Sequence, residues 1–263
     1  MTCAREVSVV TRRAFTGWGR LWRAGAVIVL GACVGAGCGG GGMPSPTSEP
    51  TTSQAVDLDG LSADQVLAAT HAAADAARSV HAVGNVSQGG RRTTLDLRLR
   101  ADGEGSGFIE TTGGRIDVAR VGRDLYFKAD EVTLTQVLGP DRAQEAGKRF
   151  VKVPVGDATF RSFRDLLDMD SLFEMLLVPS GVLSRVDGIP VDGIATVGLR
   201  DGDPKSGGLL YVTATGQPYP LLLKPDDTGV GGVVELRLSE WNADVQVAPP
   251  PAQQVVAVEE LDA

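Results

Sequence analysis

Leu95-Asp96-Leu97-Arg98-Leu99-Arg100 is the stretch on which the fold class turns. Its leucines alternate with charged residues at period two, so an extended strand here has one apolar face and one wet face. The turn Ala101-Asp102-Gly103-Glu104-Gly105 comes next, and beyond it lie Phe108 to Thr112, Arg115 to Val121 and Asp124 to Lys128. Several such runs separated by turn signals predict an antiparallel sheet, wound as a meander and covered on one face. The spacing of Asp102 to Gly105 lacks the ligand pattern of a calcium loop, and hairpin turns favour the same residues, so it reads as a turn.

The pattern returns in the last third of the chain. Val182 to Val186, Gly193 to Arg200, Gly208 to Ala214, Tyr219 to Lys224, Val233 to Ser239 and Ala243 to Val247 read as strands, punctuated by Gly-, Pro- and Asp-bearing turns. Val234, Leu236 and Leu238 point one way and Glu235 and Arg237 the other, and Pro249, Pro250 and Pro251 are read as the end of the domain. On the N-terminal side, Ser62 and Gln65 form the pattern of a capping box, with Leu61 placed to staple onto Val66. The helix is expected to run through the alanines to about Ser79, with Val66, Ala69, Ala73, Ala77 and Val80 on its packed side and His71 on its surface.

The middle differs. After Val132 to Leu138, a Gly139-Pro140 break and a short strand at Phe150 to Val153, residues 158–178 carry Phe160, Phe163, Leu166, Leu167, Met169, Leu172, Phe173, Met175, Leu176, Leu177 and Val178. Asp168 and Asp170 interrupt this run, and Asp170 is placed as a cap before Ser171, which predicts two short helices meeting at an angle. They either plug the open side of a curved sheet as core or line a cavity for an apolar ligand, for which Phe and Met make an adaptable wall.

Residues 1–23 hold Arg5, Arg12, Arg13, Arg20 and Arg23 against the single acid Glu6, and an uncharged stretch from Ala24 runs to Cys38. This is the pattern of an export signal, shorter than the roughly 18–20 residues of a membrane span. Thr11-Arg12-Arg13-Ala14-Phe15 is similar to a twin-arginine export motif. Two sites have small residues before a cysteine, as in a lipobox: Leu30-Gly31-Ala32-Cys33 and Gly35-Ala36-Gly37-Cys38. Cys38 leaves a full apolar segment and a mature chain without another thiol; Cys33 is the alternative, and a plain secretory signal is the third reading. The division expected is a lipoprotein signal peptide over 1–37, a flexible Gly/Pro/Ser/Thr tether over 38–56, a domain over 57–252 and an acidic tail over 253–263.

The chain has 25 Lys+Arg and 33 Asp+Glu; removing residues 1–37 takes away five bases and one acid, leaving 20 against 32, a net charge of −12. A domain so acidic is repelled by nucleic acid, which is excluded as a partner. All three cysteines lie at or before Cys38, so a disulfide framework or a Cys-based zinc site is not built from the residues beyond it, and two histidines, His71 and His81, make a multi-His metal site or a Ser-His-Asp or Cys-His unit hard to build. Residues 139–149 contain a Gly-Lys pair but have seven residues between their glycines, and Arg149 in place of Ser or Thr, so they are no phosphate loop. Neither Gly-x-Ser-x-Gly nor His-Glu-x-x-His occurs. Paired carboxylates are always available among so many acids and decide nothing. No enzyme, cofactor or metal is expected.

In order of elements, and in Tyr211-Val212-Thr213-Ala214-Thr215-Gly216-Gln217-Pro218, Leu238-Ser239-Glu240-Trp241, Pro249-Pro250 and Asp124-Leu125-Tyr126-Phe127-Lys128, the chain resembles the mycobacterial LppX/LprA/LprF/LprG lipoproteins. Residues 132–178 match that family poorly. The resemblance implies an α+β fold: a strongly curved antiparallel sheet, the LolA-like half-barrel, with helices covering its concave face and acyl chains held between. It implies an exported protein, anchored through Cys38 on the extracytoplasmic side of the cell membrane, that binds lipids or glycolipids and carries them within the cell envelope, with a membrane transporter as candidate partner. The cavity would then be lined by Phe160, Phe163, Leu166, Leu167, Met169, Phe173, Met175, Leu176 and Leu177. The alternative is an envelope sensor or interaction module that contacts a membrane protein without lipid transfer.

Overall fold

The computed structural model describes residues 56–88, 91–111, 113–204, 207–226 and 234–262. They build a 12-stranded, open, curved sheet in the order β12-β6-β5-β4-β3-β2-β1-β11-β10-β9-β8-β7. The first half is the meander expected from the alternation: β1 (Ser79–Gln88), β2 (Arg91–Arg100), β3 (Gly105–Thr111), β4 (Gly114–Val121), β5 (Asp124–Ala129) and β6 (Phe150–Pro154). The second is β7 (Leu183–Val186), β8 (Thr196–Asp201), β9 (Gly208–Thr213), β10 (Pro220–Pro225) and β11 (Val234–Ser239), which folds back so that β11 pairs with β1.

Register puts the apolar alternation of successive strands into lines across the sheet. One line runs from Leu238 through Ala82, Leu97, Gly107, Val118, Phe127 and Val151 to Val256, each residue paired with the next. Every side chain in it is buried. Gly107 belongs in this line because β2 runs so close that a Cβ would collide with the Asp96 carbonyl oxygen. On the outer face of the same strands lie Asp96 and Arg98 of β2 and His81 of β1, whose Nε2 is 2.7 Å from Asp96 Oδ1.

The helices lie on the apolar face. α1 (Ala63–Asp75) starts at the predicted capping box, with Ser62 accepting from the Gln65 N–H and the Gln65 side chain accepting from the Ser62 N–H. It stops four residues short of the expected Ser79, because Val80 and Ala82 continue the burial at strand period, not helix period; Ala77 and Val80 satisfy both and hide the change. Residues 131–146 form α2 (Glu131–Leu138) and α3 (Pro140–Ala146), and Gly139, at φ 91, makes the corner between them.

Two further expectations are corrected. Residues 243–247 form no strand: β1 is already paired on both sides, and the chain instead crosses the α1–β1 junction, where Ser79 Oγ donates to the Ala243 carbonyl. The domain does not end at the prolines: residues 253–262 of the expected acidic tail are part of it. After Pro251 the chain adds β12 (Val255–Ala257) parallel to β6 and buries Val256, Val258 and Leu261 against the core. Proline cannot donate to a ladder, but it does not prevent one starting afterwards. At the other boundary, Val56, counted with the tether, donates its N–H to the Gly216 carbonyl at 3.0 Å.

Leu97→Ala is expected to cost about 2–5 kcal/mol in urea denaturation. Glu110→Ala, exposed on β3, is expected to stay within about 0.5 kcal/mol.

Candidate functional site

β6 and β7 stand near opposite edges of the sheet, so the chain joining them must cross its whole width. Residues 155–182 make that crossing on the apolar face, as a short 3-10 turn (Ala158–Phe160), α4 (Arg161–Leu166) and α5 (Met169–Leu176). The predicted pair of helices is therefore present, and it holds the proposed cavity residues. Phe160, Leu167, Met169, Phe173, Leu176 and Leu177 are buried, while Phe163 and Leu166 are half-buried against the same core. Met175 lies in α5, but its side chain is outside the described residues, as are Cys33 and Cys38.

This layer is fastened at both ends by aromatic rings. Phe127 of β5 meets Phe160 at a centroid distance of 5.3 Å and stacks on Phe163 at 5.7 Å with planes 5° apart. At the other end Phe173 stacks on Trp241 at 5.5 Å, and Trp241 on Tyr219 at 4.6 Å. Glu240 and Asn242, on either side of Trp241, both take positive φ, 51° and 62°. That corner turns the indole inward and is held by Asn242, whose amide donates to the Tyr219 hydroxyl and accepts from the Arg78 N–H.

Polar contacts at the ends of α5 complete the fastening. Asp168, not Asp170, is its N-cap: Asp168 Oδ1 accepts from the Ser171 N–H at 3.0 Å, and Oδ2 from Arg120 Nη1 at 3.1 Å. Arg120 belongs to β4 and lies on the same face as Ile116 and Val118, so its guanidinium reaches α5 from within the sheet. Its Nε is buried without a partner. Burial acts to raise the Asp168 pKa, but hydrogen bonds from Ser171 and the Arg120 guanidinium outweigh it, and the carboxyl is held below its ordinary range. At the C-terminal end, His71 Nε2 donates to the Leu177 carbonyl at 2.8 Å, so His71 is a tie between α1 and α5, not a surface residue. Asp201, buried at the end of β8, accepts from the N–H groups of Ser180 and Gly181.

Between α1, α5 and the sheet, bounded by Leu67, Leu176, Leu177, Leu199, Leu210 and Leu223, lies a small cavity of about 20 Å³. A larger pocket of about 490 Å³ opens at the end of β9, β10 and β11, among Tyr219, Leu221, Leu238, Trp241, Thr215 and Asp192. Sequence reasoning missed it, since its walls come from separated segments of the chain. The one signal was Trp241, an aromatic residue set among turn formers.

Among the described residues no group of three or more His, Cys, Asp or Glu is placed to hold a metal, and no helix is long and apolar enough to cross a membrane. No protein-family model matches the sequence, and no curated protein matches it. Similar solved structures include LprF from Mycobacterium bovis, at 16% identity and a TM-score of 0.47 over 72% of this chain and 96% of that one. An uncharacterized conserved protein from Thermus thermophilus is 11% identical, with a TM-score of 0.37 over 74% of this chain and 98% of that one. MucB in complex with MucA, from Pseudomonas aeruginosa, is 17% identical, with a TM-score of 0.34 over 73% of this chain and 59% of that one. The α+β architecture is an open curved sheet with helices on one face.

A carboxyl whose folded pKa is depressed stabilises the fold above its ordinary pKa and ceases to do so as pH falls through the depressed value. The Arg120–Asp168 fastening is therefore expected to survive to below pH 3.8, the unperturbed value, and then fail. Acid titration of Trp241 fluorescence, which reports the Phe173 contact, should show this step, and Asp168→Asn should remove its pH dependence.

Proposed function

We propose that the chain is an exported lipoprotein, anchored through Cys38 with Cys33 as the alternative, whose domain takes acyl chains between the α4–α5 layer and the sheet and carries them within the cell envelope. The observation that supports this best is the crossing itself. The most apolar segment beyond Cys38 lies across the apolar face of the sheet as two short helices, held by aromatic stacking and side-chain bonds at its ends.

The apolar side chains of α5 are buried against the sheet, so we read this as a closed form, which acyl chains enter as the layer lifts. The energetics suit a carrier. Lifting α5 exposes Leu172, Phe173, Leu176 and Leu177, and an entering chain covers them again at about 0.8 kcal/mol per methylene. One apolar contact replaces another, so loading and unloading both stay accessible without covalent chemistry. The polar ties, Arg120 to Asp168 and His71 to Leu177, set how readily the layer opens and add nothing to the grip on the chain itself.

Two experiments test this. Native mass spectrometry of the protein purified from its own membrane should find co-purifying acyl lipid; a lipid-free protein retained with a membrane protein would favour the sensor and end the carrier reading. Arg120→Gln should speed uptake of a fluorescent long-chain lipid while leaving the apolar wall untouched, whereas an unchanged rate would mean that the layer does not move for loading.

A further inference from the structure

We infer that the end of the domain holding the 490 Å³ pocket is its membrane-docking face, with the pocket open to the polar headgroups of the bilayer that holds the anchor. The inference rests on the proposal that Cys38 is the anchor.

The first argument is where the tether joins the fold. Val56 donates to Gly216, and Thr215 and Gln217, on either side of Gly216, line the pocket. From Cys38 to Val56 is about 18 residues, at most about 65 Å when fully extended at roughly 3.3–3.6 Å each. The attachment does not swing with α1, because Leu58 is buried and the carbonyls of Leu58 and Leu61 both accept from Arg185. Tension or compaction in the tether therefore draws this end towards the bilayer.

The second argument is the chemistry of that end. Ile189 and Ile194 are 38% and 43% exposed, two of the four large apolar side chains so exposed among the described residues. Both sit in the segment that closes the pocket, where Val191 pairs with Ile194 across a tight Asp192-Gly193 turn. The pocket is large enough for a lipid headgroup, and its walls combine rings and aliphatic side chains with hydroxyls, an amide and carboxylates. Its acids are paired outward, Asp192 with Arg237 at 3.3 Å and Glu240 with Arg98 at 3.4 Å. Such a mouth suits a neutral or zwitterionic headgroup better than an anionic one. The pocket also abuts the α5 layer, since Trp241 both lines it and stacks on Phe173.

Trp241 makes this testable, because the other tryptophans, Trp18 and Trp22, lie in the leader. The lipidated chain, freed of its leader and so with Trp241 as its tryptophan, is placed in phosphatidylcholine vesicles with or without bromine on the acyl chains near the headgroup, and any protein that keeps its leader carries Trp18→Phe and Trp22→Phe. Docking predicts loss of Trp241 emission in the brominated vesicles, and recovery of emission in Ile189→Glu/Ile194→Glu. Equal emission in the two kinds of vesicle overturns the inference. So does quenching that a Cys38→Ser protein retains after the vesicles are removed, since that assigns it to a carried lipid. The acyl lipid co-purifying with the same protein is read in parallel. Lipid without docking leaves the carrier standing and removes the docking face; docking without lipid does the reverse.

Discussion

The structure depends on one topological constraint: the two meanders are joined at β1 and β11, which leaves β6 and β7 near opposite edges of a 12-stranded sheet. A connection between them cannot take the wet face, where charged residues alternate outward and would have to be desolvated. It must run over the apolar face, and it must be apolar itself. The composition of residues 158–178 follows from that path. A helical crossing satisfies its own backbone, which an extended one over an apolar surface could not.

The same constraint explains why the layer is fastened mainly at its ends. α4 and α5 are short, and α4 has no side-chain cap. Each is positioned by what meets it: Phe127 beneath Phe160 and Phe163, Arg120 at the cap of α5, His71 and Asp201 at its exit, Trp241 against Phe173. Arg120 is the informative member. It occupies an interior position of β4, where alternation calls for an apolar side chain, and its buried Nε goes unpaired. Burying a guanidinium there costs free energy that a leucine would not, so Arg120 adds orientation of α5 where a leucine would add stability.

Much of the sheet was legible where a strand has one wet face, as in β2: Leu95, Leu97 and Leu99 against Asp96 and Arg98 leave no choice of period or of inward side. β1 was not legible for the opposite reason. Ala77, Val80 and Ala82 follow an alanine-rich helix with no stop signal, and small residues carry little contrast at either period. β12 is only three residues long and gains its partner β6 from a hundred residues away. In the site, the crossing helices stood out by composition. The Arg120–Asp168 and His71–Leu177 ties did not, because each joins residues whose nearness exists only after the sheet has formed. The larger pocket was invisible for the same reason.

Two apolar regions thus meet at Trp241. One is the apolar layer under α5, with a small cavity of about 20 Å³; the other is a larger pocket with apolar and polar walls at the end where the chain enters the fold. A lipid has the same division, a long apolar part and a compact polar end, and the two are covalently joined. A protein that moves lipids between water-exposed and buried states needs its dry space to begin beside a wet opening, or the polar end must be desolvated along with the chains. Placing an aromatic stack at that border, held by the Glu240–Asn242 corner and not by the main sheet ladder, puts the boundary on a side chain that can turn without disturbing a strand.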